Sequence, residues 1–268
     1  MSDPFHFHAG SVPLLVSMPH VGTEIPGELL EQMTPAAAVR ADTDWHVDRL
    51  YDFAEALGAS TLGARFSRYV IDLNRDPEDR PLYAGANNTE LCPTSTFDEE
   101  PLYGPGLEPD GYEVERRRER YWRPYHARLQ EELARLHAKH GVALLWEGHS
   151  IRSEVPRFFS GRLPDLNFGT AGGTSAAPDL MDRIGGVAES AGGFSHVIDG
   201  RFKGGYITRT YGRPEQGIHA IQLELAQITY MDETPPFAYR PERAAKLKAV
   251  LRLLLEAALA WSEKRRAA

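Results

Sequence analysis

The sequence predicts an α/β fold with a largely parallel sheet between layers of helices. Three features carry that reading. Short, nearly unbroken apolar runs recur along the chain, amphipathic helical patterns lie between them, and no repeat, low-complexity tract or Pro/Ser-rich linker divides the 268 residues. Strands that are apolar at every position are strands covered on both faces, and in α/β proteins helices do the covering. The length is within reach of one large domain of this class.

Strands are predicted over Val12–Ser17, Tyr69–Leu73, Val142–Trp146, His196–Ile198, Ile207–Tyr211 and Ile218–Leu225. Helical spacing joins Val47, Leu50, Tyr51, Ala54 and Leu57. It also joins Trp122, Tyr125, Leu129, Leu133 and Leu136, where Pro124 marks a kink or a late start. Leu247, Val250, Leu251, Leu254, Leu255 and Ala258 form the apolar stripe of a helix over Arg243–Trp261. Residues 76–111, rich in Pro, Gly, Asn and Asp, read as a long loop, a feature that in compact domains is often functional.

Composition narrows the function. With 30 Lys+Arg against 38 Asp+Glu the formal charge is −8, which argues against a general nucleic-acid binder, since polyanions are held by clustered cations. The 42% hydrophobic and 25% charged content excludes collagen-like, disordered and membrane-embedded chains. No uncharged apolar run approaches the ~18 residues of a membrane span. The N-terminus has no basic stretch leading into an apolar run, so a cytoplasmic location is expected. Cys92 is the only cysteine, which rules out an intrachain disulfide and any multi-cysteine metal site.

In sheets of this class ligands bind at the carboxyl ends of the strands. The first strand runs into Met18-Pro19-His20 and the third into Glu147-Gly148-His149. Two imidazoles at matching strand ends predict a metal site that needs a carboxylate as third ligand, with Glu24, Asp44 and Glu147 as candidates. His6, His8, His137 and His140 read as surface residues. Arg68, Asn74 and Arg75 surround a short apolar run, as a clamp for a carboxylate or as surface arginines pairing with Asp72 or Asp76. Gln222 and Glu224 interrupt the apolar run Ile218–Leu225, where an acid is costly unless paired or functional. Glu224 therefore reads either as a general base beside a metal-bound water or as a solvent-facing acid on an edge strand. Arg201, Lys203 and Arg209 flank Gly204-Gly205, as an anion-binding wall or a solvated turn. Residues 169–175 lack the Gly-Lys-Ser/Thr ending of a phosphate loop and read as a flexible loop near the pocket. No Gly-x-Ser-x-Gly elbow is present, and nothing marks Cys92 as activated.

The strings SMPHVGTEIP, DTDWHVDRLYDFAEALGAS, RYVIDLNRDPEDRPLYAG, ALLWEGHSIRS, GRLPDLNFGT, GRFKGGYITRTYG and GIHAIQLELAQITYM, in this order from about Leu14 to Arg240, resemble the N-formylglutamate amidohydrolase (N-formylglutamate deformylase) family. The resemblance implies one domain over 1–268, with a mixed, mostly parallel sheet between helices, similar to the zinc carboxypeptidase and aspartoacylase folds. It implies zinc-dependent hydrolysis of N-formyl-L-glutamate to L-glutamate and formate, the last step of one histidine-degradation route. A different N-acyl or N-formimino deacylase, or a metal-free binder of acidic amino acids, are the alternatives.

The resemblance also distributes roles. It makes His20, Asp44 and His149 the metal ligands, with Glu147 orienting a ligand or rivalling one. Glu224 is the catalytic glutamate and Arg68 polarises the scissile carbonyl. Asn74 and Arg75 bind a substrate carboxylate, assisted by Arg209 and Lys203, and His219 donates a hydrogen bond to the pocket. Tyr206 stands where the family usually has His, which bears on selectivity if that position touches substrate.

Overall fold

In the computed structural model, which describes residues 3–82 and 88–266, the apolar runs near residues 14, 143 and 218 become the inner strands of a mixed sheet. The strands are β1 (Phe5–His8), β2 (Leu14–Met18), β3 (Ser60–Ala64), β4 (Ala143–Ile151), β5 (Leu166–Gly169), β6 (His196–Ile198) and β7 (Ile218–Ala226). Their order across the sheet is β1-β3-β2-β4-β7-β5-β6. The neighbours β3, β2, β4 and β7 run parallel, whereas β1 joins β3 and β5 joins β7 antiparallel, and β6 lies parallel to β5.

The helices are α1 (Gly27–Leu30), α2 (Pro35–Val39), α3 (Val47–Leu50), α4 (Gly111–Arg117), α5 (Arg123–His140), α6 (Pro178–Ala191), α7 (Tyr206–Tyr211) and α8 (Pro241–Arg266). Side chains alternate along each strand, so the two faces bury different sets. On one face Leu15, Leu145 and Ala220 pack under Tyr125, Leu129, Leu133 and Leu136 of α5. On the other, Val16, Trp146, Ile221, Leu223 and Leu225 pack under Leu180 and Ile184 of α6 and Leu247, Leu251 and Leu254 of α8. Each such leucine contributes roughly 1.5–3 kcal/mol by leaving water. No described helix is long and apolar enough to cross a membrane.

Pro124 lies in the first turn of α5, where its missing N–H costs no hydrogen bond; a π-helical turn, Arg118–Trp122, joins α4 to α5 ahead of it. Gly141, at φ 74°, ends α5 in the left-handed conformation that favours glycine. The stripe predicted over Arg243–Trp261 lies within α8.

Two predicted strands are not strands. Tyr69–Leu73 is buried, but it forms a turn whose carbonyls accept from side chains: Arg117 Nη1 donates to Val70 O (3.1 Å) and His126 Nε2 to Leu73 O (2.8 Å). Ile207–Tyr211 is helix, because Asn74 Oδ1 accepts from Ile207 N at 2.9 Å and supplies a partner for the first turn. Phe5–His8, Ser60–Ala64 and Leu166–Gly169 are strands that the apolar pattern did not reveal, being short and mixed with polar or small residues. The pattern from Val47 to Leu57 is helical only over Val47–Leu50, followed by a turn and a short 3-10 segment, Glu55–Leu57. Within 76–111 the described residues 76–82 and 88–110 form no helix or extended strand, and residues 83–87 lie outside the described residues. His140, expected at the surface, is buried.

Candidate active site

Three parallel strands bring the predicted residues together. β2 ends at Met18, and the turn behind it carries His20. β4 runs past Trp146 through Glu147 and His149, so His149 lies inside the strand rather than after it. Register pairs Glu147 with Gln222 and His149 with Glu224 of β7, which sets four polar side chains on one face. Asp44 N donates to His20 O at 3.1 Å, which ties the turn before α3 to the end of β2.

His20, Asp44 and His149 are 3%, 1% and 2% exposed, and each offers one ligand atom within 4.8 Å of the others. Asp44 Oδ2 lies 3.7 Å from His20 Nδ1 and 3.1 Å from His149 Nδ1. The far nitrogens face further carboxylates: His20 Nε2 is 2.7 Å from Asp72 Oδ1, and His149 Nε2 is 3.4 Å from Glu147 Oε2. A metal at the Asp44 side would take both Nδ1 atoms, the Nε2 protons then facing the outer carboxylates, as in sites where carboxylates orient metal-binding imidazoles. Two imidazoles and one carboxylate form a set suited to zinc or a similar divalent ion. The charge balance fits a cation as well. Glu147 is fully buried, its Oε2 has only the 3.4 Å contact to His149 and its Oε1 has no hydrogen-bond partner, while Asp44, Asp72 and Glu224 crowd the same volume.

The ionisation states follow from this crowding. Burial opposes charge on Asp44, yet hydrogen bonds from His149 and His20 hold its pKa below the usual carboxylate range. Burial likewise opposes charge on Asp72, and Arg68 and His20 outweigh it. Burial disfavours a charged His149, but Asp44 and Glu147 push it up to about 10, the mark of a site that attracts positive charge. Burial pushes Glu224 up to about 7 against the pull of His149.

A cleft of roughly 630 Å³, open to solvent, lies over this cluster and is lined by His20, Arg68, Asn74, Arg75, His149 and Glu224. Arg68 Nη2 donates to Asp72 Oδ2 at 2.6 Å, and the Phe97 ring lies 4.8 Å from its guanidinium carbon. Arg75 is held by Thr89, through Nη2 to Oγ1 at 2.8 Å and Nε to the carbonyl at 3.2 Å. Arg201, fixed by Nε to Phe158 O at 2.6 Å, closes the opposite wall with Phe158 and Phe202.

The family model for N-formylglutamate amidohydrolase matches residues 12–231. The chain belongs to this family. An N-formylglutamate deformylase of Pseudomonas aeruginosa is 54% identical over 265 residues, 99% of each chain, and one of Pseudomonas putida is 52% identical over the same length and coverage. The solved structure of an N-formylglutamate amidohydrolase from Ralstonia eutropha JMP134 superposes with a TM-score of 0.82 at 28% identity, over the whole of both chains. A gene product of Agrobacterium tumefaciens, 20% identical over 96% of this chain and 95% of its own, shares the fold with a TM-score of 0.73.

Within this member of the N-formylglutamate amidohydrolase family, His20, Arg68, Asn74, Arg75, His149 and Glu224 line one cleft, and Asp44 is grouped with His20 and His149 at its floor. The edge-strand reading of Glu224 fails, because β7 lies between β4 and β5 and the side chain is buried. Arg68 does pair with Asp72, but inside the protein rather than at its surface. Glu24 is no ligand: it is exposed and accepts from Arg65 Nε at 2.7 Å.

Three predicted substrate contacts are misplaced. His219 is on the opposite face of β7, edge-on to Trp261 at 4.8 Å, and accepts from Ala177 N at 3.2 Å. Lys203 and Arg209 are exposed and do not line the cleft, Arg209 Nε donating to Gly204 O at 2.9 Å. Arg201 stands there instead. Tyr206 faces Trp122 and His126, each 5.7 Å away ring to ring, and not the cleft. Residues 170–175 fold beside Asp199, whose carboxylate accepts from Thr170 N at 2.8 Å, outside the cleft wall. Cys92 is buried, and burial pushes its thiol up to about 12, so it is inert at neutral pH. Asp72 and Gln222, which the sequence offered only as an arginine partner and as a polar interruption of a strand, also stand at the site. Asp72 lay in plain view beside Arg68, but its partner His20 is 52 residues away.

Proposed function

We propose that the protein hydrolyses N-formyl-L-glutamate to L-glutamate and formate with a divalent metal, zinc for preference, held by His20, Asp44 and His149. The observation that carries the reading is the buried His-Asp-His set beside Glu224 in a cleft walled by arginines. When bound, such an ion polarises the formyl oxygen and makes water a nucleophile at neutral pH.

The chain's own residues supply the rest. Glu224, with its pKa at about 7, accepts the proton of the attacking water and returns it to the glutamate nitrogen as the C–N bond breaks. Water thus adds to the formyl carbon as the C–N bond breaks; one of its protons reaches the nitrogen through Glu224, and the other, released from the new carboxyl group, completes the ammonium of glutamate beside formate. Arg68, anchored on Asp72, faces the developing oxyanion, a contribution of about 3–4 kcal/mol per well-placed donor in acyl-transfer enzymes. Arg75 with Asn74 takes one substrate carboxylate and Arg201 the other, which matches a dianion. Glu147 orients His149, as Asp72 orients His20. This activity places the enzyme at the formate-releasing end of histidine degradation.

The test is formate release from N-formyl-L-glutamate by purified protein before chelation, after it, and after zinc, cobalt or manganese is returned. Loss and recovery are expected. Undiminished activity in metal-stripped protein would overturn the metal assignment, and metal-loaded protein that releases no formate would overturn the substrate.

A further inference from the structure

We propose that His126 and Trp122 are positioning residues that set the substrate-binding loop Asp72–Arg75 from beneath, so that the grip on substrate depends on an aromatic stack that does not line the cleft. The inference rests on the assignment of Asn74 and Arg75 to substrate binding.

The loop has no β-ladder to hold it, since Tyr69–Leu73 is not a strand. Three consecutive carbonyls of the loop need donors from outside it, Asn74 O taking only a 3.3 Å contact from Arg75 Nη1 within it. Leu73 O accepts from His126 Nε2 at 2.8 Å, Asn74 O from Tyr206 N at 3.3 Å, and Arg75 O from Trp122 Nε1 at 3.1 Å. Two of these donors are side chains one helical turn apart, at the junction of the π-helical turn and α5. A π-turn rotates the residues after it relative to those before, and such turns recur at functional sites.

The donors are themselves rigid. The Trp122 and His126 rings stack at 3.6 Å with 16° between planes, and Tyr211 lies 5.8 Å beyond at 22°. Both side chains are under 10% exposed: Trp122 7%, His126 4%. Burial holds His126 neutral, its pKa lowered to about 3. Its one proton sits on Nε2 toward Leu73 O, which leaves Nδ1 to accept from Tyr211 Oη at 3.0 Å. Tyr211 closes α7, whose first turn is anchored on Asn74 Oδ1. The stack therefore joins α5, the loop and α7 around Asn74. On its cleft side Asn74 Nδ2 lies 3.2 Å from His149 Nε2 and 3.5 Å from Gln222 Oε1. A shift of Leu73 or Arg75 moves Asn74 and Arg75 together, whereas Asp72, the residue against His20, has anchors of its own: its carboxylate accepts from Arg68 Nη2 at 2.6 Å and its N–H donates to Leu91 O at 2.7 Å.

The experiment compares His126→Leu, His126→Gln and Trp122→Phe with the wild-type enzyme for kcat, KM, bound metal and Tm. Losing a donor to a buried carbonyl is expected to raise KM for N-formyl-L-glutamate about tenfold, with kcat within a few-fold and metal content unchanged. Gln, which can present an N–H near the position of Nε2, is expected to recover most of the KM. A purely structural role predicts a lower Tm and kcat with KM unmoved, and that result would overturn the proposal, as would a Gln variant no better than Leu. If the Leu variant does not fold, Trp122→Phe decides alone: a wild-type KM overturns the inference, a raised one supports it. A wild-type enzyme without formate release would instead sink the substrate assignment on which the inference stands.

Discussion

A glutamate buried inside a mixed sheet is expensive unless something in the site uses it, and Glu224 is such a residue. It faces His149 across the β4–β7 ladder, and burial holds its pKa at about 7, where it can both take and give a proton near neutral pH. Glu224→Gln keeps the shape and removes the base. It is expected to lower kcat by about 10²–10⁴ while bound metal, read by elemental analysis, stays at the wild-type level. Near-wild-type turnover in that variant would show that another group takes the proton. Residue identity also pointed to the proposed ligands, because His20, Asp44 and His149 are types that can bind zinc and two of them follow or end apolar runs. The choice among Glu24, Asp44 and Glu147 was not legible from the chain alone. It turns on the direction of side chains, and only Asp44 points both its neighbours' way.

The short elements α7 and the turn at 69–73 were the least legible, for one shared reason. Ile207–Tyr211 is rich in β-branched and aromatic residues and so mimics a strand, while Tyr69–Leu73 is apolar without being paired. Each takes its conformation from the other side of the site: Asn74 caps α7, and the N-terminal part of α5 satisfies the turn. Gly205 sits at this contact. A Cβ there would meet Asn74 Nδ2 at 2.3 Å, and its φ of −84° is open to any residue, so the obstacle is purely steric. Gly205→Ala is expected to displace Asn74 and cost on the order of 10²-fold in kcat/KM, with an unchanged circular dichroism spectrum. Wild-type kcat/KM in this variant would mean that Asn74 does not touch substrate.

Over the whole molecule, the formal charge of −8 conceals a cleft with Arg68, Arg75 and Arg201 on its walls, so the net charge excludes polyanions without excluding a small dianion. The opposite face of the sheet has its own titration. Burial, helped by Arg265, lowers the pKa of His219 to about 4, from 6.5. The folded chain therefore binds this proton less readily than the unfolded one, so the stability it contributes is full above about pH 6.5 and is lost as pH falls toward 4. The wild-type urea midpoint is expected to drop between pH 7 and pH 5, a change worth roughly 2 kcal/mol from this group. His219→Gln should show a smaller drop, and an equal drop would place the effect elsewhere. By itself the sequence determined the α/β class, the central strands and the long helices α5 and α8, because apolar periodicity is a local property of a chain, and the resemblance of its strings gave the family. Only the tertiary structure decided that Arg201 rather than Lys203 or Arg209 lines the cleft, that His219 lies behind the sheet, and that Asp72 and Glu147 stand against the far nitrogens of His20 and His149. Those outcomes depend on which face of a strand a residue occupies and on partners as far as 52 residues away, and neither is encoded in any short stretch of sequence.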